Sequence, residues 1–557
     1  MTYVIIGDFR FDSCNRFIAA IGTSAGRVGL WLIPLLLVGS VATAADRDVR
    51  LVQAAAEQDR AAVRLLLKQG VDVNAARADG ATALLWAAHW DDLDTVDALL
   101  RARANVNAAD DYGVTALARA CENASEAMVT KLLAAGADPN AAQKSGLTPL
   151  MIASRTGNVK VVKALVAHGA RVNASTTAAR ATPLMWALTL NHPDIVRVLV
   201  EAGADVHHST TKGFTPLMFA ARNGDLEMAR LLIAAGADVN ELSADGTHVL
   251  PFSILYGQFE FALFLLEQGA NPNGAMNGVQ ALHAAAGNVD LWLTDWYRRR
   301  GHRRGYRSLT DVNLGRKLQV VQALLARGAD PNARIQSSAM VMDYIGYPKK
   351  GAFEPFSCGT GDLSGATPLW VAAYSMSGAI AHIFGEMAPP RAESTAAIMK
   401  ALLAAGANPD LGTVDGSTPL MVAAGLGRAT YIPRKLRGDP SPGAEEAVRT
   451  LVAAGANVNA VNEADFTALH GAAYRGLNEV VKFLVANGAN INARDFRGRT
   501  PYRLAEGSKQ SFQFQTWPET AELLQQLGAD TRLGVPGSVQ ERARDLAADA
   551  QRASASQ

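Results

Sequence analysis

A cluster of arginines at residues 296–307, with the sequence WYRRRGHRRGYR, is the part of the chain best equipped to bind an anion. It has six arginines and no acidic residue, so it carries +6 in a chain whose net charge is +1, and the other residues sum to 1 − 6 = −5. The surface as a whole is therefore not that of a polyanion-binding protein, and any anion site in it is confined to one patch.

Three interpretations of the arginine cluster stay open. The first is docking of an acidic protein or of anionic lipid headgroups, and the second, which the charge balance disfavours, is nucleic-acid binding. The third is structural, with the arginines paired to acids such as Asp290 and Asp295 while neighbouring tryptophans pack inward. The candidate contact residues of the cluster and its flank are Trp292, Trp296, Tyr297, Arg298, Arg299, Arg300, Arg303, Arg304 and Arg307.

Other residue types with catalytic or metal-binding potential lack the spacing that such chemistry needs. The chain has no HExxH and no CxxC motif, and His207 and His208 stand side by side in a turn with no further ligands around them. The glycine-rich segment 359–365, GTGDLSG, leads into a Thr-Pro pair without a preceding strand, which favours a hinge over a phosphate-binding loop. The sequence therefore predicts no catalytic residue, no metal site and no cofactor.

The first 45 residues have the organisation of a secretory signal peptide. Residues 28–45 carry no charge, follow three arginines and end in an A-x-A pattern at Ala42-Thr43-Ala44. We expect export, most simply to a bacterial periplasm, with cleavage near Ala44 or Ala45. The alternative is a retained helix that anchors the chain in the inner membrane facing the periplasm, although Gly39, Ser40 and Thr43 shorten the apolar run below the ~20 residues of a comfortable span.

A short sequence pattern, which we call the first tag, recurs along the chain and indicates the structural elements that position these residues. It consists of Gly, a small residue, Asp or Asn, any residue and Asn, and it recurs every 33 residues, with longer intervals in the second half. A fixed period of this length indicates an array of structural repeats. The copies of the tag, including three variants, begin at Gly70, Arg103, Gly136, Gly169, Gly203, Gly236, Gly269, Gly328, Gly406, Gly455, Gly488 and Gly528.

A second tag follows each first one by about twelve residues. Together the two tags resemble the ankyrin repeat, in twelve copies that cover roughly residues 46–530. The resemblance implies an all-α solenoid of stacked helix-turn-helix units with short hairpin-like turns. The copies of the second tag read TALLWAA at Thr82, TPLMIAS at Thr148, TPLMWAL at Thr182, TPLMFAA at Thr215, TPLWVAA at Thr367, TPLMVAA at Thr418 and TALHGAA at Thr467.

The residues of the tags also have physical reasons of their own. The Thr148 hydroxyl is placed to cap the first helix of repeat four, and Pro149 suits the first helical position, where a missing N–H costs nothing. Gly169 supplies the left-handed residue that ends the second helix. His283 and His470 occupy the histidine position of the second tag, where the resemblance implies a structural hydrogen-bonding role.

The intervals locate long insertions between the two helices of repeats eight, nine, ten and twelve, with one more before the first helix of repeat nine. Because stacked repeats share one orientation, consecutive insertions are expected to meet in one lobe. The predicted organisation is a signal peptide at 1–45, repeats at 46–287, an insertion-rich part of repeats eight to ten at 288–440, the remaining repeats at 441–530 and a tail at 531–557.

The array also bears on the cysteines. Cys121 and Cys358 belong to repeats three and nine, about 60 Å apart at ~10 Å for each stacked repeat, whereas a disulfide needs Cα atoms within ~7 Å. We therefore expect no bridge between them, and Cys121 is interpreted as a buried thiol.

The resemblance implies a non-catalytic scaffold that binds a protein through its concave face and turn tips, with the 288–440 lobe as a second contact. A ligand-binding or catalytic pocket formed by the lobe is the alternative, and a monomer is expected. Exposed aromatic and arginine side chains are typical interface anchors, although single exposed aromatics also occur without any role. The candidate positions on the repeats are His89, Trp90, Glu122, Asn123, Arg155, Arg222, Asn223, Tyr256, Tyr374, Tyr474 and Arg475.

Overall fold

The structure is a computed structural model, and it describes residues 48–289, 293, 296, 314–336, 364–376, 392–426, 441–496, 498–510 and 513–534. Within these ranges the secondary structure is helical except for two short antiparallel hairpins. The predicted all-α fold of stacked helix-turn-helix repeats is confirmed. The predicted signal peptide and most of the predicted tail lie outside the described residues.

The chain divides into two compact units, of which the first comprises residues 1–238 and repeats one to six. Each of its repeats consists of a first helix, a short loop and a second helix. The helices are α1 Arg50–Ala56, α2 Arg60–Lys68, α3 Ala83–His89, α4 Leu93–Arg101, α5 Ala116–Glu122, α6 Glu126–Ala134, α7 Pro149–Thr156, α8 Val159–Ala167, α9 Pro183–Thr189, α10 Pro193–Glu201, α11 Pro216–Asn223 and α12 Leu226–Ala234.

The second unit comprises residues 239–557 and repeats seven to twelve. Two hairpins accompany its helices, one before the first helix of repeat eight and one inside repeat twelve. The elements are α13 Val249–Leu255, α14 Phe259–Glu267, β1 Ala275–Met276, β2 Val279–Gln280, α15 Ala281–Ala286, α16 Leu314–Ala326, α17 Pro368–Met376, α18 Ala392–Ala404, α19 Pro419–Ala423, α20 Pro442–Ala453, α21 Ala468–Arg475, α22 Asn478–Ala486, α23 Pro501–Glu506, β3 Ser508–Gln510, β4 Gln513–Gln515 and α24 Pro518–Gln526.

The first helices begin as the tag predicts. In repeat four the Thr148 hydroxyl accepts a hydrogen bond from the Met151 N–H at 3.3 Å, and Pro149 lies at the first helical position. The second helix of this repeat is followed by Gly169 with φ of 83°, a left-handed conformation that an L side chain would strain. Local chemistry thus fixes where the helices of repeat four start and stop.

Stacking builds the core of each unit. The first helices of successive repeats pack on one another, as α5, α7 and α9 do, and the second helices do the same. Leu150 and Ile152 of α7 are fully buried between their neighbours. One repeat alone could not cover this apolar surface, so the stability of each repeat depends on the next one.

A ladder of asparagines joins successive turn tips. The Asn140 side chain donates to the Gly169 carbonyl at 3.0 Å and accepts from the Arg171 N–H at 2.7 Å. In the second unit Asn332 does the same with the Gly406 carbonyl and the Asn408 N–H, although the residues are separated by more than 70 positions. This explains the last Asn of the tag, which sequence reasoning assigned only to a turn.

The predicted insertion points are confirmed by the helix bounds. In repeats eight, nine, ten and twelve, the long connections lie between α15 and α16, α17 and α18, α19 and α20, and α23 and α24. The pre-helix insertion of repeat nine covers residues 333–365, of which 337–363, including Cys358, lie outside the described residues. Helix packing therefore continues from one repeat to the next within the second unit despite these additions.

Candidate functional site

The candidate site is the surface formed by the hairpin tips and the carboxyl-terminal ends of the first helices, which we call the first-helix face. In repeat two it carries His89 and Trp90, and the Trp90 side chain is 42% exposed. The Trp90 indole N–H donates to the Ala56 carbonyl of the preceding repeat at 3.0 Å, while the rings of His89 and Trp90 lie 4.7 Å apart. Burial, assisted by the charge of Arg119, lowers the pKa of His89, so this cluster is uncharged near neutral pH.

Two predicted contact residues, Asn123 and Asn223, use their amides within the stack. Asn123 donates to the carbonyls of Ala88 and His89 at 3.0 and 2.9 Å, and Asn223 donates to the Leu188 carbonyl at 2.8 Å. Each therefore caps the first helix of the preceding repeat. The primary role that the structure gives these amides is to hold repeats together.

The arginines of the first-helix face lie over aromatic rings. The Arg155 guanidinium is exposed and lies 5.9 Å from the Trp186 ring centre in the next repeat, and that of Arg222 lies 5.6 Å from Phe219. Such stacking orients a guanidinium while leaving its edge able to donate hydrogen bonds. Glu122 of repeat three forms an ion pair with Arg119 at 2.7 Å.

A shallow depression of about 740 Å³ lies between the ends of the first helices of repeats five and six. It is open to solvent and has apolar and polar walls in equal measure. Its position beside two exposed helix ends makes it suited to receive a side chain of a partner rather than to enclose a small molecule. The lining residues are Thr189, Leu190, Asn191, Asn223, Gly224, Asp225 and Leu226.

The second unit overturns the expectation of exposed tyrosines. Tyr374 is 7% exposed and stacks on Trp370 at 5.1 Å, and Tyr474 is only 1% exposed. Tyr256 is half-buried, with its ring 4.6 Å from that of Phe252. Tyr374 and Tyr474, predicted as exposed contact residues, are therefore corrected to buried residues.

Trp517 packs against the end of the helix that carries Tyr474. It directly precedes the second helix of repeat twelve, and its indole N–H donates to the Tyr474 carbonyl at 2.7 Å. A Cβ at Gly476 would lie 2.6 Å from the Trp517 ring, so only glycine admits the indole at this point. The neighbouring Arg475 is half-buried. His192 of repeat five makes the equivalent contacts, with the Arg155 carbonyl at 3.3 Å and with Gly157 of repeat four.

Trp296, a candidate contact residue of the arginine cluster, is also internal. Its side chain is 1% exposed, its indole N–H donates to the Thr247 hydroxyl at 3.1 Å, and its ring lies 6.3 Å from Phe252. It therefore packs on repeat seven, as the structural interpretation predicts, and is corrected from a partner contact to a core residue. Trp292, Tyr297 and the arginines Arg298, Arg299, Arg300, Arg303, Arg304 and Arg307 lie outside the described residues.

The two histidines of the second tag are buried hydrogen-bonding residues. The Nε2 of His283 lies 3.0 and 3.1 Å from the carbonyls of Ala333 and Ala366, and that of His470 lies 3.3 Å from the Arg499 carbonyl. Burial lowers the pKa of both His283 and His470 to about 4, so both are neutral at pH 7. The structural role that the family resemblance implies for them is confirmed.

Cys121 is buried in α5, as predicted, and burial raises the pKa of its thiol. Its thiolate is therefore disfavoured, and the side chain acts as a small apolar group. Within the described ranges, no cluster of three or more His, Cys, Asp and Glu side chains is arranged to hold a metal ion. Among the same residues, no helix is both long enough and apolar enough to cross a bilayer.

Sequence reasoning missed several residues of the first-helix face. Lys144 and Arg180 lie exposed in the tips of repeats four and five, and Tyr112 in the tip of repeat three is 68% exposed. The signal that would have identified them is position within the 33-residue period, because the tips project from the stack in every repeat. Trp517 also has a periodic position, because it lies eleven residues before the tag glycine Gly528, as His192 does before Gly203, and both side chains bond to a backbone carbonyl of the preceding repeat.

Comparison with known proteins agrees with this architecture. A family model of ankyrin repeats (3 copies) matches residues 51–143, 127–210 and 203–276, one of ankyrin repeats (many copies) matches 451–505, and one of the single ankyrin repeat matches 415–463. The crystal structure of the human ASB11 ankyrin repeat domain is 32% identical, covering 36% of this chain and 89% of that one, with a TM-score of 0.33. The comparison with curated proteins gives no match.

Ankyrin repeats are generally protein–protein interaction modules, and a typical ankyrin repeat protein is a non-catalytic scaffold. Three of the matched segments fall in the first half of the chain, and the other two fall in repeats ten to twelve. The helix pairs, the period and the asparagine ladder are common to both units. On these grounds, the chain belongs to the ankyrin repeat family.

Proposed function

We propose that this protein is a non-catalytic scaffold that holds a protein partner on the first-helix face of its first unit. The observation that carries the proposal is the exposure of interface-type side chains there. Trp90, Tyr112 and Arg155 project into solvent from consecutive repeats, and tryptophan, tyrosine and arginine are the residues that most often anchor protein interfaces. In the second unit the corresponding tyrosines of repeats nine and eleven are buried.

The rigidity of the stack supports the same proposal. Each tip of repeats two to five is tied to the next by the asparagine ladder, as in the bonds of Asn107 to the Gly136 carbonyl at 3.1 Å and to the Asp138 N–H at 2.7 Å. A surface that is already ordered loses little conformational entropy on binding, so its contacts contribute more fully to affinity.

We further propose that the scaffold acts outside the cytoplasm, in a periplasm. This part rests on the arrangement of residues 1–45, with arginines, an uncharged apolar run and an A-x-A site. The test is to fractionate native cells and measure the mass of the purified chain. A periplasmic product that begins at Ala45 or Asp46 supports export with cleavage, a full-length product in the membrane fraction supports the retained anchor, and a full-length cytoplasmic product contradicts the proposal.

Binding is tested by site-specific photo-crosslinking in native cells. A photoreactive phenylalanine analogue replaces Tyr112 on the first-helix face or, in the control, Lys163 on the second helix of repeat four, and both side chains are exposed. We expect a discrete crosslinked protein from position 112 and none from position 163. Equal products at both positions, or none at either, would contradict the placement of the partner.

A further inference from the structure

The first-helix face of the first unit is divided into an acidic and a basic part. Each repeat contributes to it an 18-residue segment, from the Asn position of the first tag to the end of the first helix. In repeats two and three these segments, 74–91 and 107–124, carry 1 − 2 = −1 and 1 − 3 = −2. In repeats four, five and six the segments 140–157, 173–190 and 207–224 carry +2, +1 and +2, with no Asp or Glu.

The five cations, which we call the basic strip, are Lys144, Arg155, Arg180, Lys212 and Arg222. Lys144, Arg155 and Arg180 are exposed. The ion pairs found in the described part of the first unit join other residues, which lie on α1, α2, α4, α5, α6, α8, α10 and α12 and at Asp48 and Asp92. The charges of these three side chains are therefore available to an anionic partner at little cost in broken contacts.

The Arg155 guanidinium has a defined place in the strip. It lies over the Trp186 ring of the following repeat, and that ring is itself buried. A guanidinium stacked in this way presents its N–H groups sideways, in the planar arrangement that matches a carboxylate. The depression between the ends of α9 and α11 lies on the next two repeats of the same face, so a charged contact and a side-chain pocket are close together.

The dimensions of the basic strip favour one class of occupant. Three stacked repeats place its ends about 20 Å apart at ~10 Å for each step, and an extended peptide rises about 3.3 Å per residue. Six to eight residues therefore span it. Repeats two and three continue the face with Asp79, Asp110 and Asp111, and these would repel a duplex nucleic acid or an anionic membrane that extended beyond the strip.

We propose that the basic strip binds a short, acidic, extended segment of the partner protein. The inference rests on the proposed function and adds to it the charge and the length of what is bound. Carboxylates of the segment pair with Lys144, Arg155 and Arg180, and an adjoining side chain enters the depression.

The test is fluorescence anisotropy with the mature chain and four probes: a labelled octapeptide of alternating Glu and Ser, its Lys and Ser counterpart, an eight-nucleotide oligothymidine, and phosphatidylglycerol vesicles. The first probe is expected to bind at least tenfold more tightly than the others, with affinity that falls as salt is added. The double substitution K144E/R155E should weaken it at least tenfold, while K163E on α8 should leave it within twofold.

Circular dichroism tests whether the double variant is folded. If it is not, the single variant K144E, which alters no aromatic contact, replaces it in the binding measurement. Tighter binding of the oligonucleotide or of the vesicles would overturn the proposal, and so would equal binding of the acidic and basic peptides. Crosslinking from position 112 does not depend on these cations. If crosslinking succeeds and the acidic peptide fails to bind, the scaffold proposal stands and the inference is wrong.

Discussion

Repeats two and eleven carry an aromatic residue near the carboxyl end of the first helix, but the two side chains have opposite environments. Trp90 in the first unit projects into solvent, whereas Tyr474 in the second is fully buried. Trp90 lies eight residues after the tag threonine Thr82 and directly follows α3, whereas Tyr474 lies seven residues after Thr467 and belongs to α21. In addition, Trp517 of the next repeat packs against the end of α21, where its indole N–H donates to the Tyr474 carbonyl.

Arg155 and Tyr474 share a repeat position, seven residues after the tag threonine, and Arg155 is exposed while Tyr474 is buried, so a repeat position does not by itself fix exposure. In the second unit two tryptophans bond to the preceding repeat: Trp296, from the insertion of repeat eight, bonds to the Thr247 hydroxyl, and Trp517, which directly precedes the second helix of repeat twelve, bonds to the Tyr474 carbonyl. In the first unit the repeats have no insertions, and the first-helix face keeps its exposed anchors. This difference supports the proposal that the partner binds the first unit.

The largest expected difference between the units is their response to acid. His283 and His470 are buried in the second unit with pKa values lowered from the usual 6.5 to about 4. The unfolded chain therefore takes up protons first as the pH falls. Stability that is complete above pH 6.5 is lost progressively down to pH 4, by about 3 kcal/mol for each histidine.

Hydrogen exchange followed by mass spectrometry between pH 7 and pH 4.5, corrected for intrinsic rates, measures this difference. Amides of α15 and α21 should lose protection before those of α5 and α7, where Ala118 and Met151 occupy the histidine position. His470→Met, which introduces the residue that repeats four, five and six have at this position, should reduce the response of α21. Equal loss in both units would break the comparison.

Replacing Trp517 is expected to have the next largest effect, a loss of stability in the second unit. Trp517→Ala deletes a buried indole and its hydrogen bond to the Tyr474 carbonyl, so we expect it to cost about 3–5 kcal/mol. Hydrogen exchange of the amides of α21 to α24 at increasing urea concentrations measures this loss in the free energy of unfolding.

The asparagine ladder should contribute the same stability to both units. Asn140→Ala in the first unit and Asn459→Ala in the second each remove one bond to a glycine carbonyl and one to a backbone N–H of the next repeat. We expect a loss of about 1–2 kcal/mol in each case, measured as a shift of the urea midpoint. A loss in one unit several times that in the other would show that the ladder, and not only the insertions, distinguishes them.

The smallest effect is expected at Trp90. Its ring is largely in solvent and its indole makes one hydrogen bond, to the Ala56 carbonyl. Trp90→Ala should therefore cost about 1 kcal/mol in stability while reducing the yield of the crosslink from position 112 severalfold. A cost as large as that of Trp517→Ala would mean that the exposed tryptophan of the first unit is a packing residue too.

The sequence predicts the parts of this structure that depend on neighbouring residues. The cap of Thr148, the left-handed Gly169 and the burial of Cys121 each follow from residues within one repeat or its immediate neighbours. The burial of Tyr474 does not, because Arg155 has the same repeat position and is exposed. The difference between the two could be recognised only after their surroundings had been placed in space.

The basic strip was equally accessible in principle and was missed for a different reason. Lys144 and Arg180 belong to hairpin tips that the period places on one face, but each is an ordinary lysine or arginine within its own repeat. Their significance appears when three repeats are aligned and acids are found to be absent from all of them. The WYRRRGHRRGYR segment, conspicuous in the linear sequence, includes Trp296 of the core.

The asparagine ladder has a consequence for how such a chain can lengthen. Asn140 reaches a glycine 29 positions ahead, and Asn332 forms the equivalent bond across 74. The loop-closure entropy of this extension costs only about 0.8 kcal/mol, which is close to the stabilisation that one hydrogen bond of the ladder provides. Sequence can therefore be added before the first helix or between the two helices of a repeat at little cost in stability, which makes these loops the places where a repeat can acquire new parts.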